Sequence, residues 1–205
     1  MLLKKNSGTL GDTYITICHW VNISEKFSVE HYTRHSYWQR EIRDLYSLLP
    51  NLVNVTFPAL KNREERFSSP YSVIKEKIKE FEPFPNFTFP TSELDPGEPY
   101  IALCPKSGKP DQGYRTIPTP AIEKIIAEAD MPVVVPEPGK TTLLEAMGLV
   151  ARSSKFYGYQ GLMSFVAMSH KSRSVVYVAN EREYLCLRNR TARRWIEFLD
   201  EVRKK

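Results

Sequence analysis

The chain has 205 residues, 41% of them hydrophobic and 12% aromatic, enough apolar mass for one large domain or two small ones. Its 29 Lys and Arg outnumber 24 Asp and Glu, and the resulting charge of +5 favours anionic ligands such as nucleotides, phosphates or nucleic acid. No apolar run reaches the ~18 residues of a membrane helix and no signal-peptide core opens the chain, so a cytoplasmic protein with no membrane span is expected.

The first third alternates strand and helix patterns. Met1–Lys5 reads as a strand, followed by the loop Asn6-Ser7-Gly8-Thr9-Leu10-Gly11 and a helix over Asp12–Val21. Gly8 and Gly11 lack the Cβ that would keep a ligand from the backbone. Asp12 stands where that helix begins. It either caps the helix or serves as a general base towards a hydroxyl. A strand over Phe27–Thr33 comes next, then a helix over Tyr37–Leu49 with Trp38, Ile42, Leu45 and Leu49 at helical spacing. A strand over Leu52–Phe57 and a helix over Tyr71–Phe81 complete a βαβα pattern, the signature of a parallel sheet flanked by helices. His19, His31 and His35 have no metal-ligand spacing and read as packing residues, and His170 sits at a helix end. The aromatic segment Tyr32–Arg40 reads as the start of a packed helix rather than a base-stacking surface.

Residues 82–99 hold five prolines, which forbid regular helix and central strand, and phenylalanines that need burial. The segment is expected to be an ordered crossover between a first lobe, 1–81, and a second, 100–190. In the second lobe Tyr100–Cys104 is a strand entering a polar loop, Pro105–Tyr114. A helix over Thr119–Glu128 follows, with a Thr cap and Pro120 at its first position. Pro132–Val135 is a buried strand, Thr141–Leu149 a helix, Lys155–Tyr159 a strand, Gly161–Lys171 a helix and Ser174–Ala179 a strand. Trp195, Leu199 and Val202 predict a final amphipathic helix over Ala192–Arg203, within a basic tail, 191–205. The three cysteines, Cys18, Cys104 and Cys186, are odd in number and far apart, which suits reduced, buried thiols.

Two loops in the second lobe carry chemistry. Lys106, Lys109 and Arg115 follow the carboxyl end of a strand, where open α/β sheets bind ligands, and their charges suit a diphosphate. Tyr157–Ser164 turns from a strand into a helix whose first amides, at Gly161, Leu162, Met163 and Ser164, form a natural anion seat. A rival motif, Val134-Val135-Pro136-Glu137-Pro138-Gly139-Lys140-Thr141, ends like a phosphate-binding P-loop. It has valine where the first glycine is required, and two prolines remove amides from the cradle.

Ser7-Gly8-Thr9-Leu10-Gly11-Asp12-Thr13 with its apolar helix, Tyr100–Pro105 with Tyr114-Arg115-Thr116-Ile117-Pro118, and Gly158–Ala167 leading to Ser174–Val178 occur in an order that resembles heptosyltransferase-like glycosyltransferases of the GT-B fold. The resemblance implies an α/β fold of two Rossmann-like lobes facing a cleft. It implies inverting, metal-independent sugar transfer, without a cofactor, from a nucleotide-diphosphate sugar to an unidentified hydroxyl acceptor. Asp12 would be the general base, Arg115 would face the donor phosphates, and the turn at Gly161–Ser164 would hold them. The chain departs from the family at Gln160, where an acidic residue is usual, at Ser164, where His is usual, and in its short first lobe. Two alternatives stand beside this expectation: a non-catalytic nucleotide or nucleotide-sugar binding protein of the same fold, and a nucleic-acid-directed protein using the basic C-terminal helix.

Overall fold

A computed structural model describes the chain except for residues 7–8, 34–37, 59–83, 110–112, 138, 182, 184–194 and 205. The expected helix over Tyr71–Phe81, Gly8, Cys186 and residues 191–194 and 205 of the basic tail lie outside the described residues. The chain divides into two compact units, Met1–Phe87 and Thr88–Lys205, and the division falls within the proline-rich segment. Each has a parallel sheet flanked by helices, so the fold is α/β.

In the first unit, β1 (Leu2–Asn6), α1 (Leu10–Trp20), β2 (Phe27–Tyr32), α2 (Gln39–Tyr46) and β3 (Leu52–Thr56) form consecutive parallel crossovers, in the order β1-β2-β3. Thr9 caps α1, accepting the Asp12 N–H at 3.2 Å, and Asp12 returns the bond by accepting the Thr9 N–H at 2.9 Å. Buried Tyr14, Ile15, Ile17, Cys18 and Trp20 spread round α1, which is therefore a core helix. Its buried Thr13 and Thr16 satisfy their hydroxyls by donating to the carbonyls of Thr9 and Asp12. Trp20 stacks on Tyr46 and meets Phe27 edge-on, which ties α1 to α2 and β2.

In the second unit, residues 88–100 carry no regular structure, yet Phe89, Ser92 and Tyr100 are buried. The segment is strapped to a helix, Leu143–Arg152, by the Tyr100 hydroxyl donating to the Leu149 carbonyl at 2.6 Å and by the Arg152–Asp95 ion pair at 2.7 Å. Gly148 makes that approach possible. A Cβ there would lie 2.9 Å from both Phe89 Cβ and the Pro90 carbonyl oxygen. Gly148→Ala is therefore expected to destabilise this unit by about 1–3 kcal/mol, read as a lower urea midpoint. An unchanged midpoint would show that the strap gives way without cost.

The second sheet contains β4 (Ile101–Cys104), β7 (Val133–Val134), β8 (Lys155–Tyr159), β9 (Arg173–Val178) and β10 (Leu199–Lys204), all parallel, in the order β7-β4-β8-β9-β10. Its crossovers include α3 (Thr119–Ala127), α4 (Leu143–Arg152) and α5 (Leu162–Ser169). The expected polar loop after β4 is a hairpin, β5 (Lys106–Lys109) with β6 (Gly113–Thr116). Helix α3 begins one residue away from expectation, with Pro118 as N-cap and Thr119 inside the helix, and has no side-chain cap.

The C-terminal segment corrects the sequence reading most. Residues 199–204 are not the amphipathic helix expected over Ala192–Arg203 but an edge strand paired with β9, preceded by a single 3-10 turn at Ile196–Phe198. Trp195, Leu199 and Val202 fit a helical stripe, but so short a stripe does not exclude a strand. Buried β9 offers an unpaired row of backbone groups, and Leu199–Lys204 satisfies it while charged Asp200, Glu201, Arg203 and Lys204 suit an edge position. Arg203 lies 5.8 Å over the Tyr177 ring and donates to its hydroxyl at 3.1 Å.

Candidate functional site

The direction in which the second sheet grows reverses between β4 and β8. From β4 the chain crosses to β7 on one side, and from β8 to β9 and β10 on the other. At such a reversal the loops leaving the carboxyl ends diverge and open a crevice suited to ligands. The edge here is built from Cys104-Pro105 with its hairpin, and from Tyr159-Gln160-Gly161 with the start of α5.

Ser107 and Arg115 are cross-strand partners in the hairpin and so share one of its faces. On that face the Ser107 hydroxyl donates to the Gln160 carbonyl at 3.4 Å, placing the hairpin over the β8–α5 turn. Gly161 permits the approach, because a Cβ at this position would sit 2.8 Å from Ser107 Oγ. Helix α5 then starts tightly. Gly161 N–H donates to Ser164 Oγ at 3.0 Å, Ser164 donates back to the Gly161 carbonyl at 2.8 Å, and Phe165 N–H donates to the same carbonyl at 3.2 Å. Ser164 is thus buried and its hydroxyl is spent on the helix start, so Leu162, Met163 and Ser164 bring backbone amides to the site rather than side-chain donors.

Arg115 is half-exposed and ion-paired with Glu183, just beyond β9. Its charge reaches the Tyr159 phenol, where it opposes the upward shift that burial produces. Tyr159 is only 2% exposed, and among the described residues its hydroxyl has no hydrogen-bond partner. A buried phenol without an acceptor is costly. The Cys104 thiol at the same edge is pushed up to about 12 by burial and stays protonated at neutral pH.

Of the residues expected to bind a donor, Arg115, Gly161, Leu162, Met163 and Ser164 gather at this edge. Lys106 does not join them, because alternation along β5 turns it to the opposite face of the hairpin from Ser107, where it is exposed. Lys109 pairs with Gly113 at the hairpin's end. Ser107, Tyr159 and Glu183 escaped the sequence reading. The signal for Ser107 is its register opposite Arg115, which is readable once Lys106–Lys109 and Gly113–Thr116 are treated as paired strands.

The P-loop-like segment is a turn, not a cradle. Lys140 N–H and Thr141 N–H both donate to the Glu137 carbonyl at 3.1 Å, and the Lys140 ammonium pairs with the Glu137 carboxylate at 2.9 Å. At the start of α4, Glu145 accepts the Thr142 N–H at 2.7 Å, so a carboxylate already fills that terminus.

In the first unit Asp12 is the third residue of α1, half-buried, its Oδ2 accepting from both Thr9 N–H at 2.9 Å and Thr9 Oγ1 at 3.1 Å. Gly11 is buried in the same turn. Further along the same sheet edge, Lys5 and His31 are register partners on β1 and β2, both buried, and His31 Nδ1 lies 2.9 Å from the Tyr46 hydroxyl. Among the described residues no helix is long and apolar enough to cross a membrane, and no three His, Cys, Asp or Glu side chains converge as a metal site. In comparisons with known proteins, no family model matches the chain, and neither a curated protein nor a solved structure matches it.

Proposed function

We propose that the protein transfers a sugar from a nucleotide-diphosphate sugar to a hydroxyl acceptor, with the donor diphosphate held by the second unit. The observation that carries this reading is that the hairpin bearing Arg115 is tied by Ser107 to the turn that leads into the first amides of α5, while the Arg115 charge reaches Tyr159 at the same sheet edge. A leaving diphosphate gains charge as the glycosidic bond breaks. Fixed donors in a partly desolvated crevice stabilise that charge without reorganising. Arg115 supplies a planar pair of N–H donors for it, and the helix start supplies backbone N–H groups. Asp12 is the proposed base, taking the acceptor proton as the hydroxyl attacks the anomeric carbon with inversion. The two Rossmann-like lobes implied by the GT-B resemblance belong to the same proposal, as do a nucleotide-sugar partner and independence from metal or cofactor.

A second reading is favoured by one specific feature. The Asp12 carboxylate already serves Thr9, as a helix cap does, and this suits a nucleotide-sugar binding protein without turnover. The nucleic-acid reading loses the support of its helix, because in the described part of that segment Ile196–Phe198 is a 3-10 turn and Leu199–Lys204 is strand β10.

A thermal-shift titration with nucleoside diphosphates and nucleotide sugars tests the donor site. Stabilisation of the wild type is expected, growing by about 1.4 kcal/mol for each tenfold excess over Kd, and Arg115→Ala should remove most of it. No shift with any nucleotide would refute both the transferase and the binding-protein readings.

A further inference from the structure

The Glu183 end of the ion pair at the sheet edge is oriented by further hydrogen bonds. Glu183 engages Arg115 through Oε1, while its Oε2 accepts the Ala179 N–H at 2.8 Å, just beyond the carboxyl end of β9. Its own N–H donates to Asn180 Oδ1 at 3.1 Å. The carboxylate is thus oriented from two directions and its backbone from a third, and its side chain is only 19% exposed. The charge of the same arginine reaches the buried Tyr159 hydroxyl, which has no partner among the described residues. Among the described residues the edge therefore holds a cation, a hydroxyl without a partner and an internal carboxylate that neutralises the cation.

We infer that Glu183 is an internal competitor for the anion seat, a carboxylate that holds Arg115 in the ligand-free protein and must release it when a phosphate-bearing ligand binds. The inference rests on the proposal that Arg115 contacts the donor diphosphate, and it adds a regulation of that site. A half-exposed ion pair is weak, so a diphosphate bearing several charges can displace it. Retained beside the ligand, the carboxylate would repel the phosphates. Glu183 thus lowers the affinity of the seat for any anion, and a multiply charged diphosphate overcomes that cost best.

Glu183→Gln isolates the charge. The amide oxygen still accepts the Ala179 N–H, so the turn after β9 is kept while the competitor is removed. Isothermal titration with a nucleoside diphosphate and with inorganic phosphate should show about three- to fivefold tighter diphosphate binding by E183Q, with inorganic phosphate gaining at least as much. Binding by E183Q when the wild type shows none would support the inference in stronger form. Equal or weaker binding by a folded E183Q, when the wild type binds, would overturn it and leave the donor site standing. Wild-type binding undiminished in Arg115→Ala would instead overturn the role of Arg115 and the inference with it. Absence of binding by both wild type and E183Q would remove the nucleotide reading and the inference together. Circular dichroism of each variant confirms that a folded protein is being titrated.

Discussion

Acidification to about pH 5 is expected to destabilise the first unit by about 2 kcal/mol through His31 alone. His31 is fully buried, and desolvation together with the Lys5 charge lowers its pKa from 6.5 to about 3. Lys5 is its register partner on β1, the Tyr46 hydroxyl touches Nδ1 from α2, and the Phe57 ring packs 5.9 Å away. Tyr46 is itself buried, which pushes its phenol well above the usual range and keeps it uncharged. The unfolded chain takes up a proton near pH 6.5, whereas the folded chain refuses it until about pH 3. Stability is therefore fully present above the unfolded value and falls as pH drops below it, by about 1.4 kcal/mol per pH unit. His19, lowered to about 4 by burial, and His170, also lowered by burial, act with the same sign.

Urea midpoints at a series of pH values measure the slope, and His31→Asn assigns it. The asparagine amide overlays the Nδ1 position and does not titrate, so the variant starts less stable but should lose about one proton's worth of pH dependence. An identical slope in wild type and variant would show that His31 is not the group resisting protonation.

The sequence carried the elements better than it carried their meeting points. Alternation of short apolar runs with helical stripes located β1 to β3, β4, β8 and β9, and β4 and β9 stood out because a parallel strand buried on both faces leaves a bounded apolar run. It misjudged Leu199–Lys204, since a handful of residues fits both periods and the choice was made by the open edge of β9, a partner distant in the chain. The hairpin after β4 was hidden for a different reason. Lys106-Ser107-Gly108-Lys109 is polar throughout and shows no apolar face, so its strand character comes only from pairing with Gly113–Thr116.

The candidate site divides in the same way. Arg115 and the Gly161 turn were legible because glycine, arginine and a helix start carry their chemistry locally. Glu183 and Tyr159 were not, because one functions through a long-range ion pair and the other through the absence of a partner. His31 was readable as a packing residue. Its link to Tyr46, 15 residues away, was not, since no local pattern marks a polar contact between a strand and the following helix.

Asp12→Asn is expected to separate the two roles of this residue. Asparagine keeps a carbonyl oxygen to accept the Thr9 N–H, so the first turn of α1 survives. Loss of the negative charge at the helix N-terminus should cost about 0.3–1 kcal/mol. If the carboxylate is the proposed base, release of nucleoside diphosphate from a nucleotide sugar in the presence of a hydroxyl acceptor should fall about 10²- to 10⁴-fold. Donor affinity, proposed to reside in the second unit, should stay the same. The cap alone cannot produce that combination, because a shift in folding of this size leaves nearly all molecules native. Turnover retained within about a factor of three would reduce Asp12 to a helix cap. Asp12→Ala completes the comparison, since it removes both the charge and the acceptor of the Thr9 N–H. It should match Asp12→Asn in turnover while losing about a further 0.5–1 kcal/mol in stability. Turnover that instead tracks stability across the two variants would assign the effect to the fold.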